Sequence, residues 1–178
     1  MRGRGLPAVS RRQALVALGI ATVAFAVALE LTDPGGAGII GFEFAGSSAR
    51  AAEIMAEWGA HGRHLARVNL LLDYGYMLSY GLFFALAGFA VRDASRERGR
   101  RRMASAGRVV PYFALAAACF DAVENVALLL VLGGQGGSFL PPFATACSTV
   151  KLSLIGLAVV YVVCGALLWF RDRLLRPA

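Results

Sequence analysis

Five ionisable residues stand inside or at the edges of long apolar runs: Glu30, Asp73, Asp121, Glu124 and Lys151. An ionisable side chain at membrane depth costs several kcal/mol unless it is paired or hydrated, so such groups mark functional positions. Asp121, Glu124 and Asn125 are spaced i, i+3, i+4 and share one helix face. Asp73, Tyr76 and Tyr80 follow i, i+3, i+7 on another face, and Lys151 shares a third with Cys147, Ser148 and Ile155. If the three faces point inward, Lys151 pairs with Asp73 or Glu124, and the tyrosine hydroxyls satisfy the remaining carboxylate oxygens. Three carboxyls then face one lysine, and burial beside a like charge leaves at least one of them protonated. Carboxyls with separated affinities for the proton are suited to donating and abstracting it. The expected roles are acid and base for Asp121 and Glu124, with Asp73 and Lys151 setting their charge. Asn125, Tyr76, Tyr80 and Ser148 are the expected ligand contacts.

The elements that carry these residues follow from hydropathy. The 178-residue chain is 58% apolar with a mean hydropathy of +0.63. Its apolar residues form four blocks, 13–31, 68–91, 109–132 and 145–169. Each approaches or exceeds the ~20 residues that let a helix cross ~30 Å of hydrocarbon. Backbone polar groups in lipid must be satisfied within the segment, so the spans are helical. The expected architecture is all-α: one integral membrane domain over 1–178, a four-helix antiparallel bundle with short connections between its last three helices. Asp73, Glu124 and Lys151 then share a level roughly 8–12 Å below one surface at 1.5 Å per residue, and Asp121 lies one turn deeper.

Charge placement gives orientation. Arg2, Arg4, Arg11 and Arg12 precede the first span, seven arginines lie between 92 and 108, and Arg171, Arg173 and Arg176 follow the fourth. The other side has only Arg50, Arg63 and Arg67. This asymmetry predicts cytoplasmic termini in a bacterial inner membrane. The net charge of +7 thereby reads as topology and anionic-lipid contact, and not as a nucleic-acid surface. Ser10-Arg11-Arg12 ahead of an apolar run, with Ala26-Val27-Ala28 beyond it, also matches a cleavable export signal. Three dispersed cysteines, Cys119, Cys147 and Cys164, form no C-x-x-C pair, which disfavours dithiol–disulfide chemistry.

Between the first two spans, residues 35–43 read as an irregular glycine-rich loop. Residues 47–67 read as an amphipathic helix on the outer membrane surface, capped by Ser47 or Ser48, with Ile54, Met55, Trp58 and Leu65 on its apolar side and Trp58 at the lipid interface; the alternative is a helix that runs directly into the second span, and Gly59 and Gly62 are its expected kink points. Glu53, Glu57, His61 and His64 fall within about 80° of one another on a neighbouring face. Glu57, His61 and His64 are weak metal candidates, because the chain has no third histidine to complete a set; solvated surface is the plainer reading. No cofactor is expected. Tyr74, Tyr76, Tyr80, Phe83 and Phe84 form an aromatic stretch suited to packing, with a subset facing a ligand.

Leu72-Asp73-Tyr74 with Tyr80, then Asp121-Ala122-Val123-Glu124-Asn125, then the isolated Lys151 resemble a pattern in small uncharacterised bacterial four-helix membrane proteins, over about residues 68–165. That resemblance implies a shared polar cluster and no particular activity. At the level of fold the chain is also similar to emopamil-binding and sigma-2-type proteins, small helical membrane proteins with buried carboxylates around an apolar pocket. That likeness implies acid–base chemistry on a sterol double bond, or binding of a cationic amphiphile. The membrane-helix histidine of those proteins has no counterpart here. The expected function is binding, with acid–base transformation, of a lipid-like or isoprenoid molecule, with membrane lipids as the other partner. The alternatives are proton- or cation-coupled transport by a homodimer, and a structural or assembly subunit in which the cluster only locks the helices.

Overall fold

The computed structural model describes residues 10–175. Arg2, Arg4 and Arg176, counted in the charge asymmetry, lie outside the described residues. The described residues form six helices and no strand: α1 (Arg11–Leu31), α2 (Gly38–Glu43), α3 (Ser48–Glu97), α4 (Arg101–Ala106), α5 (Val110–Leu132) and α6 (Leu140–Leu174). Four helical segments are long and apolar enough to cross a membrane.

Local sequence sets the helix starts. Ser10 opens α1 with a reciprocal capping box: its Oγ accepts from Gln13 N–H, and Gln13 Oε1 accepts from Ser10 N–H at 3.0 Å. Ser47 caps α3 through Arg50 N–H. Prolines in the first turns of α5 and α6 occupy positions whose N–H would have no helical partner.

The α1–α3 connection corrects the sequence reading twice. Residues 35–43 are not irregular throughout, because α2 forms inside them. Asp33 organises its start by accepting from Gly35 N–H at 2.8 Å and Ile39 N–H at 3.1 Å. Gly38 sits below with φ +64, where an added Cβ would strike the Asp33 carboxylate, so only glycine fits this turn. Residues 47–67 follow the second of their two expected arrangements. They run into the second span as one long α3, broken at Gly59, which takes φ 61 and ψ −162. Trp58 leaves the expected lipid interface for the protein core. It packs on Phe42 with ring centroids 5.1 Å apart, and its Nε1 donates to Gly35 O at 3.0 Å. Burying an aromatic of this size contributes about 2 kcal/mol, enough for α2 to hold the segment inward. The predicted apolar side is otherwise as expected, with Ile54 buried and Met55 and Leu65 half-buried.

Helices α3, α5 and α6 pack on one another, whereas α1 packs mainly on α3. The α1–α3 seam is close because Phe25 stacks over Gly75 and Phe83 over Gly19. No residue of α1 is fully buried, and Val16, Ile20, Val23 and Val27 face outward. One end of the molecule is clasped by arginines: Arg11 to Asp93 at 3.0 Å, and Arg98 and Arg100 to Asp172 at 3.2 and 2.6 Å. The other end carries α2, the kink in α3 and the glycine-rich α5–α6 connection.

Candidate functional site: an acidic cavity beside Lys151

The faces inferred from spacing converge. Lys151 Nζ lies 3.0 Å from Asp121 Oδ1 and 2.9 Å from Glu124 Oε2. The Glu124 contact is an ion pair and not a directed hydrogen bond. Tyr80 donates its hydroxyl to Asp121 Oδ2 at 2.9 Å, and Ser148 Oγ donates to Glu124 Oε1 at 2.7 Å. Helical spacing explains the agreement. Asp121 and Glu124 are one turn apart on α5, and Ser148 and Lys151 one turn apart on α6, so two adjacent helices present two polar rungs to each other.

Asp73 differs from its expected role. It does not pair with Lys151. Its Oδ2 accepts from Asn125 Nδ2 at 2.7 Å, and the second amide hydrogen of Asn125 goes to Leu70 O at 3.3 Å. Asn125 Oδ1 is fully buried and accepts from no described group. Lys151 instead takes Glu43 as its third carboxylate, at 3.5 Å. Glu43 closes α2 and is held there by Thr145, whose hydroxyl donates to Glu43 O at 2.8 Å and accepts from Gly46 N–H.

Sequence reading misses Glu43, because the glycines of Gly38-Ile39-Ile40-Gly41-Phe42-Glu43 give that run the composition of a loop. An acid in a short apolar stretch bounded by large hydrophobics was the available signal. Glu43 stands outside the four spans, and burial pushes its carboxyl up to about 8, with Lys151 opposing that rise and the neighbouring carboxylates adding to it. Three carboxyls thus share one ammonium.

The cluster forms the floor of a cavity of about 580 Å³, within the range of small-molecule sites. Asp73, Tyr76, Tyr80, Asp121 and Lys151 line it, as does Glu43 from above. Glu30 and Asp33 stand at the α2 end, and Ile155, Leu152 and Val159 of α6 form one apolar wall facing Ala26 and Leu29 of α1. Since α1 leans on α3 and not on α6, those two walls are not closed against each other. Glu124, Asn125 and Ser148 do not line the cavity. They are buried behind Lys151 and Asp73 and hold them in place.

Glu53, Glu57, His61 and His64 are exposed on α3, away from this floor. No group of three or more metal-binding side chains with suitable geometry occurs among the described residues. Cys147 is buried, and Cys119 and Cys164 are exposed on the outer faces of α5 and α6.

No protein-family model, curated protein or solved structure matches this chain.

Proposed function

We propose that the protein is a multi-pass membrane protein that binds a lipid-like or isoprenoid molecule in the α1–α3–α5–α6 cavity. The four helices would stand as an antiparallel bundle in a bacterial inner membrane, with the arginine-clasped end and both termini in the cytoplasm. The charge asymmetry of the sequence and the meeting of Arg11, Asp93, Arg100 and Asp172 at one end support that orientation.

One observation carries the binding reading: a cavity of about 580 Å³ has an acidic, hydrogen-bonding floor and apolar walls on two helices that do not close on each other. An amphiphile would place its head on the floor and its tail between Ala26 and Leu29 on one side and Leu152, Ile155 and Val159 on the other. Asp121 and Asp73 touch the cavity and are the groups positioned to exchange a proton with a bound molecule. Glu124, shut away behind Lys151, would act through the charge of that lysine.

Coupled transport is the weaker reading. Residues 81–91 of α3 hold no ionisable group, an apolar length of roughly 16 Å at 1.5 Å per residue between Tyr80 and the arginine end. A relay across the membrane would need stations there.

Native mass spectrometry of the protein purified in mild detergent tests the proposal. A co-purifying lipid-sized mass is expected on the wild type, with strong depletion on Asp121→Asn and on Leu152→Trp, which fills the wall. Retention of the same mass by both variants would remove the cavity as its site.

A further inference from the structure

The floor of the cavity has an unequal supply of hydrogen-bond donors and acceptors. Every donor on or directly behind it is already committed except the Tyr76 hydroxyl, a single neutral donor that lines the cavity with no hydrogen-bond partner among the described residues. Lys151 faces Asp121, Glu124 and Glu43. The Tyr80 hydroxyl goes to Asp121, and both Asn125 amide hydrogens go to Asp73 and Leu70 O. Asn69, at the α2 end, gives its amide to Leu29 O at 2.7 Å and Thr32 Oγ1 at 2.9 Å.

Acceptors are in surplus. Asp73 receives one protein donor, from Asn125, and Glu30, Asp33 and Glu43 add carboxyls to the same cavity wall. Lys151 is the only lysine in the chain, and among the described residues no arginine lines the cavity. An anionic head would therefore meet an ammonium already surrounded by carboxylates, with further carboxylates beside it. In a site of low effective dielectric that arrangement repels a second anion.

We propose that this cavity selects amphiphiles by the charge of the head group, accepting heads that donate hydrogen bonds and carry no negative charge, and rejecting phosphorylated or carboxylated ones. This deepens the binding proposal above and rests on it. Among isoprenoids it separates the free alcohol or amine from the diphosphate. The donor would be received by Asp73 and Glu43, two lining carboxyls that belong to α3 and α2. Tyr76 and Tyr80, packed edge-on with centroids 5.2 Å apart, would flank it. Lys151 would serve to hold the α2 and α5 carboxyls to α6 and would not bind the ligand's head.

The test uses three probes with one tail: farnesol, farnesylamine and farnesyl diphosphate, titrated onto the full-length protein in nanodiscs and read by native mass spectrometry. Farnesol and farnesylamine are expected to bind at least tenfold more tightly than the diphosphate, and the two relative to each other separate a neutral from a cationic donor. Glu43→Gln, compared with the wild type above about pH 8 where the Glu43 carboxyl is ionised, removes one carboxylate from Lys151 from the α2 side, without altering the α5–α6 contact, and is expected to narrow the gap by improving diphosphate binding. A wild-type protein that binds the diphosphate as well as the alcohol overturns the selectivity while leaving the cavity as a lipid site. Binding of none of the three, or of all three equally by Leu152→Trp, overturns the cavity reading itself and this inference with it.

Discussion

Two sets of ion pairs hold the ends of this molecule, and they differ in nearly everything except the charges involved. At the arginine end, Arg11 and Asp93 meet at 3.0 Å with 44% and 38% of their side chains exposed. Toward the α2 end, Lys151 and Glu124 meet at a similar 2.9 Å with 10% and 0% exposed. In water, two charges at that distance gain little, because solvent competes and long side chains lose freedom on pairing. Inside a helical bundle the same pair loses hydration that only its partners and their hydrogen bonds restore. The exposed set can thus change with small effect, whereas each member of the buried set depends on all the others. The arginine clasp reports which ends of the helices lie together. The lysine cluster reports a site.

The comparison breaks most visibly at Lys151. Lys151→Met should leave Glu43, Asp121 and Glu124 without a cation and destabilise the protein by about 3–5 kcal/mol, seen as a large drop in Tm in detergent. Combining it with Asp121→Asn and Glu124→Gln should recover part of the loss. A Lys151→Met protein with wild-type Tm would mean that the cluster is not the interdependent unit described.

A smaller effect is expected at the α1–α3 seam. A valine at Gly75 would drive its Cβ into the Phe25 ring, an overpacking worth about 1–3 kcal/mol. Because α1 rests on α3 and carries one wall of the cavity, Gly75→Val should also weaken retention of a bound lipid in native mass spectra. Unchanged retention would show that α1 contributes nothing to the site.

pH separates the two regions further. The Glu43 carboxyl is raised from an ordinary 4.5 to about 8, so the folded protein holds a proton there that the unfolded chain releases. Stability from this group is present below the ordinary value and declines as pH rises through 4.5 to about 8. Thermal unfolding from pH 5 to 8 should show that decline, and Glu43→Gln should flatten it. A steeper slope in Glu43→Gln would contradict the assignment. At the arginine end, Arg11→Ala should change stability by less than about 1 kcal/mol and leave the pH slope as it was; a larger loss would make the clasp more than a surface pair.

Much of the cluster was legible in the chain because long apolar helices impose two strong regularities. Apolar length reveals the spans, and helical spacing assigns faces, so Asp121 with Glu124 and Tyr80 with Asp73 could be placed on common sides before any coordinates. Depth gave Glu124 as a partner of Lys151, but it gave Asp73 equally and set Asp121, the other α5 partner, one turn deeper. The connection between α1 and α3 obeys neither regularity. Its glycines suggest a loop by composition, and its tryptophan suggests an interface, yet Asp33 caps the turn and Phe42 draws Trp58 inward.

Composition and periodicity by themselves determined the all-helical class, the four apolar segments, the excess of acids over cations and the side of each helix on which those acids stand. These are local properties, carried by hydrophobicity and the 3.6-residue turn. Tertiary packing decided that Glu43 joins Lys151, that Asp73 turns to Asn125 instead, that Glu124 withdraws from the cavity and that α1 stands clear of α6 to leave a gap. Those outcomes depend on which of several carboxylates, equally charged and similarly placed along the sequence, comes within 3–4 Å of a single ammonium. A chain gives no measure of that distance until its helices have met.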